Sequence, residues 1–217
     1  MSSGAPPLVW SLVALIVGIE ALLQLSDMGV LPPGLRLWAY QRFAFHDLYF
    51  EAARSGQQVP LGFYLSFATH AFLHGGMAHL LMNSVVLLAL GAHVSRAVGQ
   101  VTTLLLFLGT AVCGALLFGL IADTGMSFVP MVGCSGALFG FLGAMKRWEW
   151  RYLRANALPK RRFWSTIFAL VLINVLLSLA SVGGGGVAWE AHLGGFLGGW
   201  LAGGATTPRR GAAIGPI

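Results

Sequence analysis

Hydrophobic residues along this chain come in long unbroken runs rather than in short alternations. A membrane-crossing helix needs about 20 mostly apolar residues. Six stretches qualify as candidates: 8–25, 69–92, 101–122, 131–145, 163–181 and 188–205. No ten-residue in–out alternation repeats, and an open sheet edge cannot face lipid, so strands are not expected. The pattern predicts an all-α membrane protein, with a six-transmembrane-helix bundle forming a single domain over 1–217.

Composition narrows the picture. Only 9% of the 217 residues are charged and 57% are hydrophobic, against about 25% charged in an ordinary soluble domain. A water-soluble fold and a disordered chain are both excluded, and two cysteines exclude a disulfide scaffold. The 13 Lys and Arg against 7 Asp and Glu work as topology signals, since cytoplasmic loops of membrane proteins collect basic residues. An inside N-terminus followed by six spans puts Arg96, the cluster from Lys146 to Arg162, Arg209 and Arg210 on one side. That is ten of the thirteen, with Arg36, Arg42 and Arg54 on the other. Both termini are therefore expected in the cytoplasm, and no nucleic-acid partner is implied.

The connections differ in character. Residues 26–68 mix Trp38, Tyr40, Phe43, Phe45, Tyr49 and Phe50 with scattered charges, which suits a structure lying at the membrane–water interface. Four consecutive glycines at 183–186 give that connection little conformational preference, and it is expected to be mobile. The N-terminus lacks the positive region of a secretory signal, so the first apolar run is expected to remain in the mature protein. No further soluble domain is expected in the short tails, 1–7 and 206–217. No internal repeat supports an inverted-repeat transporter.

Polar side chains within apolar runs are costly and point to function. Ser135, in Gly133-Cys134-Ser135-Gly136, and His192, in His192-Leu193-Gly194-Gly195, share a depth near the outer surface in this topology. Serine is a weak nucleophile until a base takes its proton, and histidine is the usual base near neutral pH. Alone, Ser135 reads as a helix N-cap and His192 as a packed, hydrogen-bonded ring; together at one depth they read as a catalytic pair. Gly195, Gly199 and Gly203 recur every fourth residue, and Gly136, Gly140 and Gly143 do nearly the same. Such small faces let membrane helices pack closely, which would bring His192 to Ser135. His79 and Asn83, four apart on one helix face, supply two donors of the kind an oxyanion needs. The plainer reading of that pair is interhelical hydrogen bonding.

Gly-Cys-Ser-Gly at 133–136, the His-x-x-Gly-x-x-x-Gly run from His192 to Gly199, and His79-x-x-x-Asn83 together resemble the rhomboid intramembrane serine proteases. The resemblance covers roughly 67–203. It implies a Ser135–His192 dyad with no carboxylate third member. His79, Asn83 and the Ser135 backbone N–H would form the oxyanion hole, and Phe139 would stack on the histidine. Span five and the loop at 183–186 would act as gate and cap. Membrane proteins would be the substrates, the lipid bilayer the surroundings, and the bacterial inner membrane the location. Two departures stand out. The first outer loop carries Arg36 and Trp38 but no adjacent Trp-Arg pair, and after the second span the chain reads His93-Val94-Ser95-Arg96 where many relatives have glutamate.

Two rival readings come from other classes. His70 and His74 are four apart, with His79 and His93 nearby, as in a metal- or haem-binding membrane protein. A hydrolytic zinc helix places glutamate after the first histidine, however, and Ala71 stands there, so neither metal nor cofactor is assigned. A non-proteolytic, client-binding rhomboid relative usually lacks the serine or the histidine, and this chain keeps both. Nothing in the sequence assigns a role to Glu20 or fixes an oligomeric state.

Overall fold

A computed structural model describes residues 4–122, 130–180 and 187–209; the expected loop at 183–186 lies outside them. Among the described residues the chain is helical, with one isolated antiparallel bridge between Phe45 and Met131. The helices are α1 (Pro7–Asp27), α2 (Leu35–Phe43), α3 (Asp47–Arg54), α4 (Leu61–Thr69), α5 (Met77–Val86), α6 (Ala92–Val98), α7 (Gln100–Ile121), α8 (Ser135–Ala155), α9 (Arg161–Ala180) and α10 (Trp189–Ala205). A π-helical turn, Leu87–Gly91, joins α5 to α6 without a break. Among the described residues, three helical stretches are long and apolar enough to cross a membrane: Pro7–Asp27, Met77–Val98 and Gln100–Ile121.

Two helices depart from the expected bounds. The second apolar run does not start as one helix at 69. After a 3₁₀ turn, His70–Phe72, Leu73 is extended and Gly76 sits at φ 123°, a left-handed conformation that favours glycine. The helix proper starts at Met77 and continues through the π turn to Val98. The fourth run was expected to end before Lys146, but α8 runs on to Ala155. Lys146 does not stop it because its ammonium lies 2.6 Å from Glu149, one turn on, and the pair is buried. A charge with a bonded partner can be carried inside the fold where a lone one could not.

Glycine sets the packing at the centre. A Cβ added at Gly195 would run into the Gly136 carbonyl, one at Gly199 into that of Gly140, and one at Gly194 into that of Cys113. Thus α10 lies backbone against backbone between α8 and α7. The 26–68 connection folds into α2, α3 and α4. Phe45, Phe63 and Phe50 cluster there with Phe67 and Phe118, and a Cβ at Gly119 would meet the Phe50 ring. By contrast α9 turns much of its apolar surface outward, Phe168 and Val171 included.

Candidate active site

Ser135 is the first residue of α8, and its half-buried side chain stands where backbone amides of the helix start have no intrahelical acceptor. Gly133, two residues earlier, sits at φ 111° with its N–H donating to the His70 carbonyl at 3.0 Å. A Cβ there would stand 2.7 Å from His79 Nε2 and 3.4 Å from Asn83 Nδ2. Glycine is therefore required twice, by conformation and by the two polar groups that converge beside it.

His192 lies in the first turn of α10. Its Nε2 is 2.8 Å from Ser135 Oγ, and its Nδ1 is 2.7 Å from Asn174 Oδ1 on α9. An amide oxygen only accepts, so Nδ1 carries the proton and Nε2 presents a lone pair to the serine hydroxyl. The Phe139 ring, one turn after Ser135, lies parallel to the imidazole with centroids 4.3 Å apart and planes 9° from each other. The imidazole is thus held at both nitrogens and on one face. It can take a proton from Ser135 without any carboxylate.

His79 and Asn83 stand on α5. The Gly75 N–H donates to His79 Nδ1 at 3.4 Å, which leaves the other ring nitrogen, Nε2, as the donor. It is Nε2 that faces Gly133. Asn83 is buried and its Nδ2 has no partner, a costly state for a donor unless something arrives to accept from it. Two N–H groups therefore aim at the space beside the start of α8.

The segment that leads into α5 is tied down from the outer loop. Arg36 of α2 donates from Nη2 to Glu20 Oε1 at 2.9 Å and from Nη1 to Glu20 Oε2 at 3.2 Å, and from Nε to Asp27 at 2.6 Å. Burial opposes the guanidinium charge, but the bonds to Glu20, Asp27 and Tyr40 outweigh it and raise the Arg36 pKa. Tyr40 donates to the His74 carbonyl at 2.7 Å, and Arg36 Nη1 reaches the same oxygen. The His74 ring meets His79 edge to face, centroids 5.2 Å apart. Glu20, without a role from sequence, is thus the buried anchor of the outer loop.

Of the residues singled out from sequence, the structure brings Ser135, His192, Phe139, His79, Asn83 and Gly133 to one place, with Gly136, Gly195 and Gly199 forming the close helix contact beneath. His70 is turned away; its Nδ1 bonds to the Ser66 carbonyl at 2.9 Å. The helix break between His70 and His74 removes their shared face. Among the described residues no cluster of three or more His, Cys, Asp or Glu is placed to hold a metal. Asn174 was missed. Its signal was present, a lone amide in the middle of an apolar run.

Comparisons with known proteins agree in outline. The Rhomboid domain pattern matches residues 62–209. The chain is similar to rhomboid protease GluP of Bacillus subtilis, 30% identical over 161 residues, covering 74% of this chain and 30% of the relative. It is also similar to RHOMBOID-like protein 4 of Arabidopsis thaliana, 34% identical over 135 residues, covering 61% of this chain and 31% of the relative. With Rhomboid-like protease 5 of Toxoplasma gondii it shares 36% identity over 135 residues, covering 62% of this chain and 15% of the relative. The chain thus spans about a third or less of the length of these relatives.

Proposed function

The chain belongs to the rhomboid family and is an integral membrane protein; from that premise we propose that it is an intramembrane serine endopeptidase that cuts membrane-protein substrates. The observation that carries the reading is the 2.8 Å approach of His192 Nε2 to Ser135 Oγ, with the other ring nitrogen held by Asn174. His192 takes the serine proton, Ser135 Oγ attacks the scissile carbonyl, and charge collects on the carbonyl oxygen. His79 Nε2–H, Asn83 Nδ2–H and the Ser135 backbone N–H stabilise that oxygen. The protonated imidazole then gives its proton to the leaving amine, and water hydrolyses the acyl-enzyme by the same route in reverse.

In this reading the triad-like order is Ser135–His192–Asn174, the amide standing where other serine proteases have a carboxylate. Asn174 fixes the tautomer without adding charge, which suits a site in a membrane. The single domain crosses the membrane six times, α8, α9 and α10 adding to the three helices that qualify by length and apolarity. Positive-inside charge puts both termini in the cytoplasm and Ser135 near the outer face, in a bacterial inner membrane. Because α9 carries Asn174 and turns much of its apolar surface outward, it is the natural gate. A substrate helix shields its backbone by hydrogen bonding, so cleavable segments contain small or helix-breaking residues.

The test is cleavage of a model transmembrane substrate by purified wild type, Ser135→Ala and His192→Ala, reconstituted in parallel. Wild type cleaves, Ser135→Ala shows no product, and His192→Ala loses about 10²–10⁴-fold. Equal product from all three would refute the reading.

A further inference from the structure

The end of α8 opposite Ser135 carries a surplus of positive charge that the catalytic reading does not use. Arg147, Arg151 and Arg154 recur at i, i+4 and i+7, so they share one helix face. With Trp150 and Ala155 they line an open cleft of about 380 Å³. Lys160, at the start of the α9 side, stands over the Trp150 ring at 5.4 Å, and Arg147 stands over Trp200 at 5.3 Å. The one carboxylate on α8, Glu149, is buried against Lys146 and turned to that cation. The sequence offers no Asp or Glu between 150 and 189. Among the described residues none of these four cations has a carboxylate in ion-pair reach. Arg151 also donates to the Gly204 and Thr206 carbonyls at the end of α10.

Like charges one turn apart destabilise a helix, and positive-inside topology asks only for basic residues on this side, not for three on one face around a hollow. An arriving anion would relieve the repulsion. Guanidinium groups are suited to phosphate, donating two parallel N–H bonds to its oxygens. The surroundings say what the phosphate is attached to. Trp150, Trp164 and Trp200 gather here with Phe163, as aromatic rings do at headgroup depth. Directly beyond, α9 presents exposed Trp164, Phe168 and Val171 outward. A free soluble anion has no use for that apolar track, whereas acyl chains do.

We propose that this cleft binds the headgroup of an anionic phospholipid, its phosphate held by Arg147, Arg151 and Arg154 and its acyl chains lying along α9. The site is about 24 Å from Ser135 along the helix and does not depend on the protease reading. Clusters of basic residues at a membrane face attract anionic lipid by about tenfold per one or two charges.

The experiment exchanges purified protein from detergent into nanodiscs of phosphatidylcholine containing a small share of spin-labelled phosphatidylglycerol or spin-labelled phosphatidylcholine. The motionally restricted fraction is read by electron spin resonance. Wild type is expected to restrict phosphatidylglycerol preferentially. Arg147→Gln/Arg154→Gln lowers that preference about 30-fold, the single Arg154→Gln lowers it by about fivefold, and Arg54→Gln on α3 leaves it unchanged. A thermal midpoint for each variant confirms that it is folded, and the single variant carries the test should the double one unfold. Equal restriction of the two lipids by wild type, or an unchanged preference in the folded Arg154→Gln variant, would overturn the proposal. No lipid preference in wild type together with a thermal midpoint raised by millimolar inorganic phosphate would instead assign the cleft to a free phosphate.

Discussion

The two ends of α8 are built on opposite plans. At its start, Ser135, Gly136 and Gly140 bring backbone against backbone, and the polar groups are neutral and few: a hydroxyl, two imidazoles and two amides. At its far end, Lys146, Arg147, Arg151 and Arg154 stand among tryptophans, with a single acid between them. The first end obtains precision from close packing and from hydrogen bonds that fix tautomers. The second tolerates charge because one cation is paired inside and the others face outward. One helix can serve both because about 17 Å separates Ser135 from Lys146, well beyond the reach of any hydrogen bond in the site.

That contrast can be broken from either end. The largest effect is expected from Lys146→Met, which leaves the Glu149 carboxylate buried without its partner. Destabilisation of about 3–5 kcal/mol should appear as a lowered unfolding midpoint in detergent, and Lys146→Met/Glu149→Leu should recover most of it. If the double variant is no better than the single one, the pair is not what α8 depends on there.

At the Ser135 end, Asn83→Ala removes one of two donors beside Gly133. A fall in kcat of about 10²–10³ with an unchanged unfolding midpoint is the expected signature. A fall in midpoint with kcat retained would instead make Asn83 a packing residue. Between the ends, Gly199→Ala forces a methyl onto the Gly140 carbonyl, and overpacking of this kind costs about 1–3 kcal/mol. Differential scanning of the folded protein reads it, and activity should fall with it because His192 rides on the same helix.

The smallest effect belongs to Asn174→Ala. Losing one neutral hydrogen bond to His192 Nδ1 is worth about 1 kcal/mol, or a drop in kcat of roughly fivefold at unchanged KM. Asn174→Gln should not rescue it fully, since the longer side chain cannot place its oxygen in the same spot. No change in either variant would leave Phe139 and the Ser135 hydroxyl to hold the ring.

Much of this architecture was legible in the sequence because lipid makes polarity expensive. The runs that became α1, α7 and α10 stand out from hydropathy alone, and Ser135, His192, His79 and Asn83 stand out because each interrupts an apolar run. What hydropathy could not show was conformation at the turns. The break before Met77 depends on the φ of Gly76 and the extended Leu73, which an averaged hydropathy window passes over. The extension of α8 past Met145 depends on a pair formed one turn apart, Lys146 with Glu149, which a count of charges scores only as two penalties. Glu20 was visible as an anomaly but its partner was not, since Arg36 lies sixteen residues on in a loop whose fold no periodicity announces. Asn174 obeyed the same rule as Asn83 and lacked only a neighbouring histidine on its own helix to draw notice.

In the proposed mechanism Ser135 is a nucleophile activated by His192. Labelling of the folded, membrane-reconstituted protein with a serine-directed fluorophosphonate tests it most directly. One label per wild-type chain is expected, placed on Ser135 by peptide mass analysis, with slow labelling of His192→Ala and none of Ser135→Ala. Equal labelling of wild type and Ser135→Ala would contradict it.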